Sequence, residues 1–209
     1  MEFITEKLLN ILACAETTQL ERMKLKLGLQ VLCHNIWMTC VILILAGYLR
    51  LFQESFILFI SYGILKIHVG GIHFHKSWQC LTVTTSFIIG GVLLAQHMTL
   101  QLKWIIFLYI LSILLLWIIG PQGTRNNPIT EYHYPILYCR SLCIVIFYAL
   151  LTLSGMLNQN TINLLLLAVL FGIFSIIPNK IQNSHYLNRP PEVRPKNLTI
   201  GGRFSYGKI

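Results

Sequence analysis

Apolar residues collect into long runs separated by short polar breaks. Six runs, at about 29–49, 53–67, 80–98, 103–120, 140–157 and 161–178, predict membrane-spanning helices, since an upright helix needs about 20 apolar residues to cross the hydrocarbon core. The second is short because Lys66 and His68 interrupt it, which predicts a tilted or partly interfacial helix. Ahead of the first run, residues 3–27 place Ile4, Leu8, Ile11, Ala15, Leu20, Met23 and Leu27 at helical spacing, with Lys7, Glu16, Glu21, Arg22, Lys24 and Lys26 between them. That pattern predicts one amphipathic helix, lying on the membrane surface or packing on the cytoplasmic end of the bundle. Residues 179–209 lose hydrophobicity and gain Pro190, Pro191, Pro195 and six basic residues, which predicts a polar, basic tail. The expected fold is all-α: a polytopic membrane helical bundle over residues 1–178, with about six transmembrane helices and an N-terminal amphipathic helix.

Composition sharpens this picture. Of the 209 residues 55% are hydrophobic and only 11% charged, against about 25% charged in soluble domains. All seven acidic residues are glutamate, so chemistry built on aspartate pairs or an aspartyl phosphate is excluded. Five of the six cysteines (Cys14, Cys33, Cys40, Cys139 and Cys143) lie in or beside apolar helical segments, where a free thiol behaves as a small hydrophobe. Glu2, Glu6 and Lys7 interrupt the start of the chain, and no secretory signal is expected there. With the N-terminus inside, four basic residues precede the first span, Lys66 and Lys76 fall in the next inner segment, Arg125 and Arg140 in the third, and six in the tail. Fourteen basic residues are then inside and only Arg50 and Lys103 outside, which predicts cytoplasmic termini. This basic excess is explained by topology, and no nucleic-acid partner is expected.

The remaining cysteine belongs to residues 70–80, Gly-Gly-Ile-His-Phe-His-Lys-Ser-Trp-Gln-Cys, which set two glycines, two histidines and a thiol between apolar runs. Ionisable groups at membrane depth are costly and tend to be functional. The thiolate is the nucleophilic form of cysteine, and a neighbouring imidazole is its usual base. Cys80 stands at an expected helix start, where unpaired N–H groups stabilise an anion. His73 is the expected base, with His75 in reserve, while Gly70 and Gly71 suit a tight turn or a close backbone approach. Seven positions separate His73 from Cys80, about 10.5 Å along an unbroken helix, which is too far for the side chains to meet. A working pair therefore requires a non-helical turn within residues 70–79. Gln79, or N–H groups at the helix start, are candidates for an oxyanion hole. This chemistry points to a cysteine peptidase that needs neither metal nor cofactor. The same cluster also admits a different reading, in which His68, His73, His75 and Cys80 bind zinc in a non-enzymatic metal-binding or transport component. A second polar stretch, 121–140, is marked as a loop by Pro121, Gly123 and Pro128. Its one carboxylate, Glu131, is a candidate to orient the histidine, and a plain connector is the alternative.

Lys66, Gly70, Gly71, His73, Ser77 and Cys80 together carry a Gly-Gly-x-His-x6-Cys element, and Asn127-Pro128-Ile129 follow Gly120-Pro121 at the end of a span. In these residues, and in size, multi-span layout and polar N-terminal helix, the chain resembles the accessory gene regulator B (AgrB) family of bacterial quorum-sensing peptidases. The resemblance implies a membrane peptidase domain over residues 1–178, with Cys80 as nucleophile and His73 as general base. The implied substrate is a small, membrane-associated propeptide that loses its C-terminal part through an acyl-enzyme thioester. A cysteine or serine of the substrate would then capture the acyl group as a thiolactone or lactone autoinducing peptide. Lys66 stands where the family usually has arginine, which keeps the charge without the planar fork. Arg125 is the only basic residue of the second loop before Arg140. These two cations, with Gly70, Gly71, Ser77 and Pro128, are expected to bind the propeptide or shape the loops around it. The implied location is the bacterial plasma membrane, multi-pass, with the active site cytoplasmic. Homo-oligomerisation is left open.

Overall fold

The computed structural model of the chain describes residues 2–12, 18–70, 77–122 and 132–178. Within them run seven helices: α1 (Glu2–Leu12), α2 (Gln19–Tyr48), α3 (Phe52–Val69), α4 (Ser77–His97), α5 (Leu102–Ile119), α6 (Tyr134–Leu153) and α7 (Gln159–Phe174). The only strand-like pairing among the described residues is an isolated bridge between Gly70 and Gln122. The expected all-α bundle is the observed fold.

The single amphipathic helix expected over 3–27 is corrected. Thr18 is extended at φ −64° and ψ 156°, and it starts a new helix through a reciprocal capping box with Glu21. The Thr18 N–H donates to Glu21 Oε2 at 3.0 Å and the Glu21 N–H donates to Thr18 Oγ1 at 3.4 Å, which satisfies two N–H groups at the start of this helix. From Gln19 the helix runs on without a break to Tyr48, joining the second half of the expected surface helix to the first expected span. Only Gly28 lies near the expected boundary, and an isolated glycine costs about 1 kcal/mol without stopping a helix. α1 packs on α2, with Thr5, Leu9 and Leu29 buried. A Glu6–Lys26 ion pair at 3.4 Å spans the exposed edge of this contact, where such pairs contribute at most about 1 kcal/mol.

Four of the expected spans are long and apolar enough to cross a membrane: Glu21–Tyr48, Trp78–His97, Leu102–Ile119 and Tyr134–Leu153. The other two, α3 and α7, form the middle of the bundle and pack chiefly on each other. Every residue from Asn163 to Val169 of α7 is buried, which requires neighbours on all sides. Gly172 permits the close approach of α3, because a Cβ there would meet Leu65 Cδ2 at 2.6 Å. At 16 residues α7 is shorter than the four membrane-spanning candidates. On the outward faces Trp37, Ile44, Phe107, Ile110, Trp117 and Phe147 are exposed. A continuous apolar surface of this kind is stable against lipid.

Two buried side chains pair polar groups across the helices. Asn163 Nδ2 donates to the carbonyls of Ala95 and Met98, both at 2.9 Å, which satisfies acceptors at the end of α4 that lack partners within that helix. The Tyr148 hydroxyl donates to Ser61 O at 3.2 Å, tying α6 to α3. Two expected boundaries also shift. α4 begins at Ser77, before the expected 80, and α6 begins at Tyr134, before the expected 140. Pro135 sits in the first turn of α6, where its missing N–H has no cost. Arg140 is therefore a residue of α6 and not of the loop.

Candidate active site

The C-terminal ends of α3 and α5 lie side by side, where a backbone bridge joins Gly70 to Gln122. α3 closes with Gly70, whose N–H donates to Lys66 O at 3.0 Å. α5 closes in the same way with Gly120, whose N–H donates to Leu116 O at 2.8 Å. The dihedrals are φ 79°, ψ −152° at Gly70 and φ 67°, ψ 171° at Gly120, a region open essentially to glycine alone. Two residues beyond Gly120, the Gln122 N–H donates to Val69 O at 3.0 Å, and its side-chain Nε2 donates to Ile119 O at 2.9 Å. Gln122 is buried, although charge and periodicity gave no signal for it. Its position two residues after Gly120, in a Gly-Pro-Gln segment, was the available clue.

The two glycines face different obstacles. A Cβ at Gly120 would meet the Tyr134 hydroxyl, the far end of a side chain that is able to swing away. Gly120→Ala is therefore expected to destabilise the protein by about 1–3 kcal/mol, chiefly through backbone strain. Thermal unfolding of the purified protein in detergent checks this, and an unchanged midpoint would contradict it.

Cys80 lies in the first turn of α4, half-buried against the cluster of Met38, Ile42, Leu58 and Tyr62. It lines a cleft of about 80 Å³ between α3, α4 and the end of α7. Tyr62 and Lys66 contribute the α3 wall, with Lys66 Nζ 5.2 Å from the centroid of the Tyr62 ring, a cation–π distance. Gln79 adjoins Cys80 in the same turn, and Ser77 opens the helix. His68 Nδ1 is 2.8 Å from Ile64 O, so that ring turns back along its own helix. Gly71, His73 and His75 lie outside the described residues, as do Arg125, Pro128 and Glu131. No single helix runs through 70–85, since α3 ends at Val69 and Gly70 leaves the helical region.

The described members of the alternative zinc set are His68 and Cys80. Among the described residues no three His, Cys, Asp or Glu side chains come together to hold a metal ion. Sequence reasoning missed Tyr62, Thr84 and Ser175 as neighbours of Cys80. Tyr62 and Lys66 stand four residues apart and so share a helix face, but nothing local to α7 announces that Ser175 ends beside α4.

Comparison with known proteins bears on this arrangement. An AgrB-like protein of Clostridium acetobutylicum is 24% identical over 110 residues, 53% of each chain. Accessory gene regulator protein B of Staphylococcus intermedius is 24% identical over 162 residues, 77% of this chain and 85% of that protein. The protein of that name from Staphylococcus aureus strain MRSA252 is 29% identical over 107 residues, 51% of this chain and 57% of its own. The chain thus spans about half the length of the first and third of these relatives. No solved structure matches it. The family model described as accessory gene regulator B matches residues 2–176, and this membrane protein belongs to that family.

Proposed function

We propose that this chain is a membrane-embedded cysteine endopeptidase that matures a small quorum-sensing propeptide. The observation that carries the reading is Cys80, placed in the first turn of α4 on the wall of a cleft, at the end of the bundle where two loops are bridged. His73 takes the Cys80 proton, and the thiolate attacks the carbonyl of the scissile bond. The C–N bond breaks as the imidazolium returns the proton to the leaving amine, which departs with the C-terminal part of the propeptide. The acyl group remains on Cys80 as a thioester. A thiol or hydroxyl of the same substrate attacks it next, the bond to Cys80 sulfur breaks, and a thiolactone or lactone leaves. A site that excludes water favours ring closure over hydrolysis.

In this reading Glu131 orients the imidazole, and Gln79 or N–H groups of the first turn of α4 hold the developing oxyanion. Lys66 and Arg125 attract carboxylates of the propeptide, while Gly71, Ser77 and Pro128 shape the loops. The test is co-expression with the propeptide, comparing the wild type with Cys80→Ala. A shortened peptide or a thioester adduct in the wild type alone supports the reading, and identical uncut propeptide in both rejects it.

Location follows from charge. α2–α7 cross the plasma membrane so that the fourteen basic residues face the cytoplasm and Arg50 and Lys103 face out. A phosphatase reporter that works only outside is expected to be active when fused after Arg50 or Lys103 and silent when fused after residue 178. The reverse pattern would overturn this topology.

A further inference from the structure

The cleft beside Cys80 is more specific than a nucleophile requires. Its apolar walls are Val83 and Phe87, one and two turns beyond Cys80 on α4, with Phe174 of α7 and the Tyr62 ring of α3. The Phe87 ring is stacked on Phe171 at 5.0 Å between centroids, so this wall is braced from behind. The hydroxyl of Ser175 is already spent on Gly172 O at 2.7 Å. Thr84 differs. It is only 5% exposed and it lines the cleft. Its hydroxyl makes no hydrogen bond among the described residues.

We infer that this cleft is the pocket for the side chain of the residue whose carbonyl is joined to Cys80, and that it takes an aliphatic chain of valine-to-methionine size. The inference rests on the peptidase reading above. The walls are mostly apolar, the Lys66 ammonium on the α3 side is engaged over the Tyr62 ring, and the Thr84 hydroxyl is unbonded among the described residues; such a lining suits a side chain without charge, the usual composition of a selective pocket. Size sets the upper limit: a benzene ring occupies a cavity of about 150 Å³, and this cleft offers about 80 Å³. The acyl side is the side that needs such a hold, because the leaving segment departs after the first step while the acyl group must stay through ring closure. The Thr84 hydroxyl is one helical turn from Cys80, within the same wall, and serves the backbone of that residue.

The experiment uses the full chain in detergent and synthetic propeptides varied at the residue supplying the scissile carbonyl. Leucine and methionine are expected to be cleaved with kcat/KM at least about 10-fold above phenylalanine and tryptophan, the scale that pocket fit supplies. Val83→Ala, which widens the cleft, should narrow that ratio severalfold. Val83→Leu should shift preference toward valine, so one variant remains if the other fails to fold. Thr84→Val should weaken cleavage of every propeptide alike. Ratios unmoved by both Val83 variants, or a preference that moves with the residue after the scissile bond, would overturn the inference.

A second readout does not need proteolysis. Cys80 of the wild type should add propyl-maleimide faster than naphthyl-maleimide, read on the Cys80 peptide by mass spectrometry, and Val83→Ala should remove the difference. Size discrimination without any cleavage would leave the pocket standing and reject the peptidase reading. Cleavage without size discrimination would do the opposite.

Discussion

Cys80→Ala is expected to abolish propeptide cleavage, by a factor on the order of 10³ or more, while the protein still inserts and folds. Removing the nucleophile from a catalytic unit forfeits nearly all of what the unit achieves, because its partners act only through it. Stability should change by only about 1 kcal/mol. Cys80 is half-buried at the margin of its cluster, and the buried residues Ile42, Leu58, Ile88 and Val92 carry that packing. The two effects separate cleanly in a membrane-fraction assay that follows both protein level and peptide length. Cleavage by the alanine variant at more than a few per cent of the wild-type rate would remove Cys80 from the proposed role. His73→Ala should give the same phenotype, since a thiol without its base and a base without its thiol are equally idle.

The second large effect is expected from Gly70→Ala. At φ 79° and ψ −152° any residue with a Cβ pays about 1–3 kcal/mol in backbone strain. The added carbon would also collide with the Gln122 carbonyl, which is backbone and is itself held by the bond from the Gln122 N–H to Val69 O. Neither partner is free to swing aside. The bridge between the two loops must open, and residue 70 begins the segment that leads to His73 and Cys80. Cleavage is therefore expected to fall at least about tenfold, a factor that corresponds to about 1.4 kcal/mol, and more than in Gly120→Ala, where only the Tyr134 hydroxyl obstructs. Parallel peptide assays on the two variants check the order. Equal or reversed losses would show that the bridge does not govern the site.

Much of the helical plan was legible from local pattern. Breaks at Arg50, Lys103 and the Gly120-Pro121 pair divide the apolar runs, and a helix carries its own periodicity within a few turns. The N-terminal boundaries were less legible. The Thr18–Glu21 box is a four-residue signal inside a pattern that reads as one amphipathic helix, and it starts a new helix at Gln19. The start of α6 was hidden as well, because Tyr134, Pro135 and Ile136 extend a polar stretch whose last charge, Arg140, marked a false boundary.

The candidate site divides along the same line. Its candidate nucleophile could be picked out from the chain, because a thiol seven residues beyond a histidine, after paired glycines and before an apolar run, is a local arrangement of chemistry. Its walls could not. Tyr62, Cys80 and Ser175 come from three helices, and Gly70 meets Gln122 across more than fifty residues. Sequence by itself determined that the chain is a bundle of apolar helices, roughly where most of them run and which thiol stands out as a candidate for attack. Only the tertiary structure decided that α7 is the buried centre, that Gly70 and Gln122 share a bridge and that a cleft of about 80 Å³ opens beside Cys80. The physical reason is that intrahelical hydrogen bonds and hydropathy depend on neighbours a turn away, whereas packing depends on which surfaces fit once all the helices are present.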